Sequence, residues 1–260
     1  MNIEDVIKIV RETDKIFFDN NLRSDVSQKG RFDYVTRADI EISKYLHHRL
    51  KEEFPDIGFM SEEEKITEKN KDFWILDPID GTTNFMHQLC LSAVSLGLCL
   101  GGEMTAGIIY IPYANELFWA EKGKGAYLNG KRIKCSSNAK LDDCLGALEL
   151  NAYFKNDCRS ALNHSEKIYT CCQDIRTFGS AAVDLAYIAC GRVDVFLGRY
   201  LKPWDYAAGI VIVNEAGGRI SGLDKKININ ELNQHIVATN SEVYEEFLNL
   251  IKTEREICIQ

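Results

Sequence analysis

The stretch Phe73-Trp74-Ile75-Leu76-Asp77-Pro78-Ile79-Asp80-Gly81-Thr82-Thr83-Asn84-Phe85 runs an apolar strand directly into two carboxylates, a glycine and a hydroxyl. Asp77 and Asp80 are separated by a bend that Pro78 restricts, so both side chains can address one locus and share hard cations. Gly81 lets backbone come close to a phosphate, and the N–H groups of Gly81 and Thr82, at the start of a helical turn, can donate to its oxygens. An ordinary Asp-Pro and Asp-Gly turn, with each acid bonded to its own backbone, would use the same residues. Three more acidic positions, Asp39, Glu62 and Asp205, lie in contexts that can be brought to the same place, which favours a magnesium and phosphate site.

Outward from this stretch, the chain alternates helical and strand patterns. Ile3, Val6, Ile7, Val10, Ile16 and Phe17 recur at helical spacing behind Asn2, a capping residue. Residues 19–31 are polar and break the period, which predicts a surface loop. Thr36-Arg37-Ala38-Asp39 reads as a variant capping box opening a second helix, with Ile40, Tyr45, Leu46, Leu50 and Phe54 inward. β-like segments follow near 92–100, 105–111 and 116–121, predicting an antiparallel or mixed sheet. Helical patterns at 180–190 and 205–216, strand patterns at 193–197 and 235–239, and a terminal helix from about 241 complete the second half. The class is α+β. The Lys131 to Asp143 region is the best internal boundary. It divides an N-terminal α+β subdomain, 1–140, from a C-terminal α/β subdomain, 141–260, within one continuous structural unit.

Three blocks in this order resemble the inositol monophosphatases, part of a lithium-sensitive, magnesium-dependent phosphatase superfamily that includes fructose 1,6-bisphosphatases. They are Ser61-Glu62-Glu63, Asp77 to Phe85, and Lys202-Pro203-Trp204-Asp205-Tyr206-Ala207-Ala208-Gly209 followed by Asn214-Glu215-Ala216-Gly217-Gly218. The resemblance covers nearly the whole chain and implies a layered αβαβα sandwich and a homodimer. It also implies metal ligands at Glu62, Asp77, the Ile79 carbonyl, Asp80 and Asp205, holding two or three Mg²⁺ ions, with Mn²⁺ as a substitute. Glu62, Thr82 and Asp39 would orient the attacking water, leaving Glu63 and Glu64 exposed. Substrate contacts are implied at Asp80, Gly81, Thr82, Gly179, Ser180, Ala181 and Asp205. Read from the residues alone, Glu62-Glu63-Glu64 could be a solvated face, Asp205 a helix cap, Asp39 a capping-box acid, and Gly179-Ser180-Ala181 a closely packed helix start.

The implied activity is hydrolysis of a small phosphate monoester by activated water, with inositol monophosphate first. Two positions depart from the inositol-specific pattern. Gly198 stands where such members carry a glutamate that meets ring hydroxyls, and Gln28 stands where they carry a loop lysine, with Lys29 adjacent. The alternatives are a sugar bisphosphatase, with Arg199 as a candidate for a second phosphate, a nucleotide phosphatase, and a non-catalytic regulatory binding protein that keeps the fold.

Composition narrows the other classes. A 260-residue chain with 45% apolar and 27% charged residues has material for a sizeable core. A net charge of -8 argues against a duplex nucleic-acid partner, while acids gathered at one site attract cations that then receive phosphate. Nine cysteines include no C-x-x-C pair, and the five histidines show no metal spacing. No stretch approaches the roughly 20 apolar residues of a membrane span, and the N-terminus lacks a basic region followed by an apolar core, so a cytoplasmic, reduced protein is expected.

Overall fold

A computed structural model describes residues 2–64 and 71–253. Its helices are α1 (Ile3–Arg11), α2 (Asp14–Phe17), α3 (Asn20–Ser24), α4 (Arg37–Glu53), α5 (Thr82–Met86), α6 (Cys158–Cys171), α7 (Ala181–Ala189), α8 (Pro203–Glu215) and α9 (Tyr244–Lys252). Its strands are β1 (Val26–Gly30), β2 (Asp33–Thr36), β3 (Gly58–Ser61), β4 (Phe73–Asp80), β5 (Ala93–Leu100), β6 (Glu103–Ile111), β7 (Glu116–Glu121), β8 (Gly125–Leu128), β9 (Lys131–Ile133), β10 (Leu145–Glu149), β11 (Asp174–Arg176), β12 (Val195–Leu201), β13 (Gly218–Gly222) and β14 (Gln234–Asn240).

Among the described residues these strands form a seven-stranded sheet in the order β3-β4-β5-β6-β7-β8-β9 and a five-stranded sheet in the order β11-β10-β12-β14-β13, beside the β1-β2 hairpin. Both larger sheets are mixed: β3 runs parallel to β4, and β10 runs parallel to β11 and β12, while the remaining neighbours are antiparallel.

The layers follow from where apolar faces meet. Val6, Val10, Ile42 and Leu46 of α1 and α4 pack on Trp74, Leu76, Leu96 and Ile108 of the larger sheet. Leu185 and Ile188 of α7 and Ile212 and Val213 of α8 lie between the sheets, meeting Ile109 and Phe118 on one side and Phe196 and Ile236 on the other. Ile168 of α6 and Phe247 and Ile251 of α9 cover the far face with Leu148, Val195 and Val237. This is the layered αβαβα arrangement. Central strands are therefore buried on both faces, which explains why β4 and β5 read as apolar runs rather than as alternating patterns. At Gly107 on β6 the α8 backbone comes so close that a Cβ would lie 2.3 Å from the Ala208 carbonyl oxygen.

Asn2 caps α1, its side chain accepting from the Glu4 N–H. Residues 19–31 differ from the loop expectation. Asp19 caps the short α3 through the N–H groups of Asn21 and Leu22, and β1 pairs with β2 while lying exposed along its length. A strand exposed on both faces has no apolar alternation to read. On α4 the buried positions are Ala38, Asp39, Ile42, Ser43, Leu46 and Leu50, so Ile42 takes the inner place expected for Ile40. Helix α6 escaped periodicity because its buried face is His164, Lys167 and Ile168, two of them polar.

Candidate metal centre

Strand β4 delivers the first two carboxylates through an irregularity. Its pairing with β5 shifts register between Asp77 and Asp80, where Pro78 has no N–H to give to the ladder. The Ile79 N–H turns back onto Asp77 Oδ1 at 3.1 Å, so the local turn contact and the convergence on one locus coexist. Helix α8 brings Asp205 from the other half of the chain. Asp205 is not the cap itself: Lys202 is, and Asp205 sits at the third helical position, accepting the Lys202 N–H at 2.8 Å. Asp39 does the same on α4, accepting the Thr36 N–H at 2.8 Å.

One oxygen from each of Asp77, Asp80 and Asp205 lies within 4.8 Å of the other two. Three hard oxygen donors at that spacing fit Mg²⁺ or Mn²⁺ rather than zinc. The cluster opens on a cleft of about 150 Å³ that Glu62, Ile79, Gly81, Thr82, Gly179, Ser180 and Ala181 also line. Asp39 is buried behind it, 1% exposed, and faces Thr82: Oδ1 stands 3.4 Å from the Thr82 hydroxyl, which also donates to the Ile79 carbonyl at 3.1 Å.

The electrostatics of the cluster disfavour several bare carboxylates side by side. Burial pushes the Asp77 and Asp205 carboxyls well above the ordinary range, with neighbouring carboxylates adding to it. Burial likewise raises Asp80 to about 6, opposed by donors from Ser180, Ala182 and Gly81. Asp39 reaches about 7, burial again outweighing the Thr36 donors. A bound divalent ion would reverse this pressure.

Glu62 enters the cleft held by Lys29, whose Nζ lies 3.1 Å from Glu62 Oε1 and 2.8 Å from Glu63 Oε1. Burial alone would lower the Lys29 pKa, but the two carboxylates outweigh it and raise it. Glu63 and Glu64 depart from the exposed reading. Glu63 is held by Lys29, and Glu64 bonds His47 Nδ1 at 2.7 Å and the Ser43 hydroxyl at 3.1 Å. The Gln28 side chain bonds the Gly30 carbonyl, and it is Lys29 that reaches toward the cleft.

The turn between β11 and α7 is what anchors Asp80. Ser180 Oγ and the Ala182 N–H both donate to Asp80 Oδ2 at 2.6 Å, and Ser180 also caps α7 by accepting from the Val183 N–H. Asn84, part of the motif but given no role by the sequence reading, fastens this turn by donating from Nδ2 to the carbonyls of Phe178, at 2.6 Å, and Leu91, at 2.8 Å. Gly81 and Gly179 allow the close approach: both have positive φ, 85° and 74°, and a Cβ on Gly81 would lie 3.0 Å from the Gly179 carbonyl oxygen.

Two acids escaped the sequence reading. Glu149 ends β10 and lines the cleft, its carboxyl raised to about 7 by burial, with Asp80 adding. Asp184 on α7 is fully buried, and neither oxygen has a hydrogen-bond partner among the described residues. The signal for Asp184 was an acid inside the apolar run 181–189, where no solvated face exists to receive it. Arg199 is a correction. It is 1% exposed, lies outside the cleft lining, and is committed to Asp157, to Ser160 Oγ at 3.0 Å and to His164 Nδ1 at 2.6 Å. Its guanidinium is not placed to receive a second phosphate.

The inositol monophosphatase family's sequence profile matches residues 2–256. The chain belongs to the inositol monophosphatase family. It is 37% identical over 231 residues to an inositol-1-monophosphatase of Caulobacter vibrioides, covering 87% of this chain and 90% of that one. It is 35% identical over 247 residues to a fructose-1,6-bisphosphatase/inositol-1-monophosphatase of Thermotoga maritima, covering 94% and 93%. The solved extragenic suppressor protein suhB from Bartonella henselae superposes with a TM-score of 0.90 at 33% identity, covering 97% of this chain and 99% of that one. The αβαβα sandwich is the fold of this family. Among the described residues no helix is long and apolar enough to cross a membrane.

Asp184 yields a pH prediction for this family member. Burial holds its folded-state pKa well above the ordinary 3.8, with Glu149 and Asp80 adding. The unfolded chain therefore loses this proton first. Asp184 lowers stability by about 1.4 kcal/mol for each pH unit that separates the solution from the unfolded-state value, until the folded protein loses the proton too. Asp184→Asn removes the titration, so its stability relative to the native protein should rise between about pH 5 and about pH 8. Urea unfolding in EDTA at both ends checks this, and a pH-independent difference would show that Asp184 is ionised in the folded state.

Proposed function

We propose that this protein is a Mg²⁺-dependent phosphatase of small phosphate monoesters, with an inositol monophosphate as its first substrate. The observation carrying this reading is the convergence of Asp77, Asp80 and Asp205, contributed by two halves of the chain, on a cleft that Glu62, Gly81 and Thr82 also line.

Asp77, Asp80, Asp205, Glu62 and the Ile79 carbonyl would hold two or three Mg²⁺ ions. Bound there, the ions supply Lewis-acid polarisation of the phosphate and a lowered pKa for water. The protein's own groups do the orienting. The Thr82 hydroxyl, whose proton is directed to the Ile79 carbonyl and Asp39, can accept a hydrogen bond from the water through its oxygen. Glu62, which lines the cleft, would hold an ion together with the aspartates and offer its carboxylate as acceptor for the same water. The Gly179 to Ala181 turn borders the alcohol side of the ester, and the pin from Ser180 keeps Asp80 from swinging out of the cluster.

The test is phosphate release with and without Mg²⁺ from inositol 1-phosphate, fructose 1,6-bisphosphate and 3′-phosphoadenosine 5′-phosphate. A Mg²⁺-dependent preference for the first supports the reading. A preference for the second would support a bisphosphatase, a second reading favoured by the double name of the Thermotoga relative, although Arg199 is committed elsewhere. Silence on all three would favour a binding protein. The Bartonella structure is named without an activity, which is the observation behind that third possibility.

The division at residues 140 and 141 is proposed as organisational only, since α8 from the second half packs against β5 and β6 of the first. A homodimer is proposed from family membership, and sedimentation showing only monomer would remove it.

A further inference from the structure

Resting on the phosphatase reading, we propose that Glu149 is the specificity-determining residue of the cleft, its carboxylate accepting hydrogen bonds from hydroxyl groups on the alcohol part of a polyol or sugar phosphate. The register of the smaller sheet carries the first part of the case. Strands β10 and β12 run parallel with Glu149 directly beside Gly198 at the end of the ladder, next to the cleft. Position 198 itself carries no side chain, and one placed there would have to displace the Leu201 side chain. A Cβ there would lie 2.4 Å from Leu201 Cδ1 and 2.8 Å from the Phe196 ring, and Leu201 fills the cleft wall. Beside the bare Gly198, the carboxylate is supplied by the neighbouring strand.

The second part is an unmet acceptor. Glu149 Oε2 is buried and has no partner among the described residues, while the Leu150 and Asn151 amides approach the same carboxyl. A buried acceptor without a donor is unfavourable, so this oxygen is best satisfied by a donor that arrives with the ligand. Phosphate oxygens are acceptors and carry like charge, so they do not serve. A neutral hydroxyl does. Asp184 shares the orphaned chemistry but lies sealed behind the cleft, outside its lining, and cannot meet a ligand. Ser180 is already committed to Asp80.

The experiment compares kcat/KM for inositol 1-phosphate with that for phenyl phosphate, an ester whose alcohol part has no hydroxyl, in the full-length native protein, Glu149→Gln and Glu149→Ala. The ratio of the two values should fall by about 10–100-fold in Glu149→Ala, the range expected when a charged hydrogen-bond acceptor is lost, and by less in Glu149→Gln, which keeps a carbonyl oxygen. Most of the change should appear in KM for inositol 1-phosphate. An unchanged ratio, or an equal fall for both esters, would overturn the proposal, the second result meaning that Glu149 acts only through its field on Asp80. A native protein that hydrolyses neither ester with Mg²⁺ fails earlier and overturns the phosphatase reading itself.

Discussion

Asp80→Asn is expected to lower Mg²⁺-dependent phosphate release by at least about 100-fold while leaving the fold intact, because loss of a proposed direct ligand should match or exceed the penalty of disturbing a ligand's supporting contacts. The substitution separates the two jobs of this side chain. An asparagine oxygen can still accept the Ser180 hydroxyl and the Ala182 N–H, each 2.6 Å from Asp80 Oδ2, so the turn that joins α7 to β4 stays fastened. What disappears is a negative charge from a set in which burial and mutual repulsion already push the carboxyls upward. The metal-free variant should therefore be at least as stable as the native protein. Its gain in melting temperature on adding Mg²⁺ should shrink, since a ligand stabilises only in proportion to its affinity for the folded state. Thermal unfolding across a Mg²⁺ titration, run beside the phosphate assay, reads both effects. Near-native turnover with an undiminished Mg²⁺ response would remove Asp80 from the ligand set.

Gly107→Ala is expected to damage the fold heavily for so small a change. The added Cβ would meet backbone, the Ala208 carbonyl oxygen at 2.3 Å, rather than a side chain that could turn aside. Relief requires α8 to lift from the sheet, and overpacking of this kind should cost about 3 kcal/mol or more. For a chain of this size each kcal/mol is worth about 2–4 °C in melting temperature. Asp205 sits one turn before Ala208 on the same helix, so displacement should also weaken the Mg²⁺ response, tying a packing defect on β6 to the chemistry of the cleft. A melting temperature equal to the native value would mean that α8 is not seated on β6 as closely as described.

What could be read from the chain depended on how local the information was. The Asp39 capping box closes over three residues, and the α1 stripe repeats within a helix, so spacing sufficed there, while on α4 it put Ile40 inward in place of Ile42. The hairpin strand β1, exposed on both faces, and helix α6, with His164 and Lys167 inward, carried no apolar rhythm and were missed for that reason. In the site the same division holds. Asp77, Asp80, Gly81 and Thr82 share one turn, and their placement on one cleft followed from their order. Asn84 gave no local sign, because its partner Phe178 lies 94 positions away.

By itself, then, the sequence determined that this protein places two carboxylates at a strand-to-turn junction and has an alternating helix and strand composition able to cover sheets on both faces. Only the tertiary structure decided that Asp205 meets Asp77 and Asp80, that Lys29 rather than Gln28 faces Glu62, that Arg199 turns to Asp157 and His164, and that Glu149 stands beside the bare Gly198. The reason is register. Which strands become neighbours, and in what alignment, is fixed by the cooperative packing of layers far apart in the chain, and a slip of one residue would send every side chain of a strand to the opposite face.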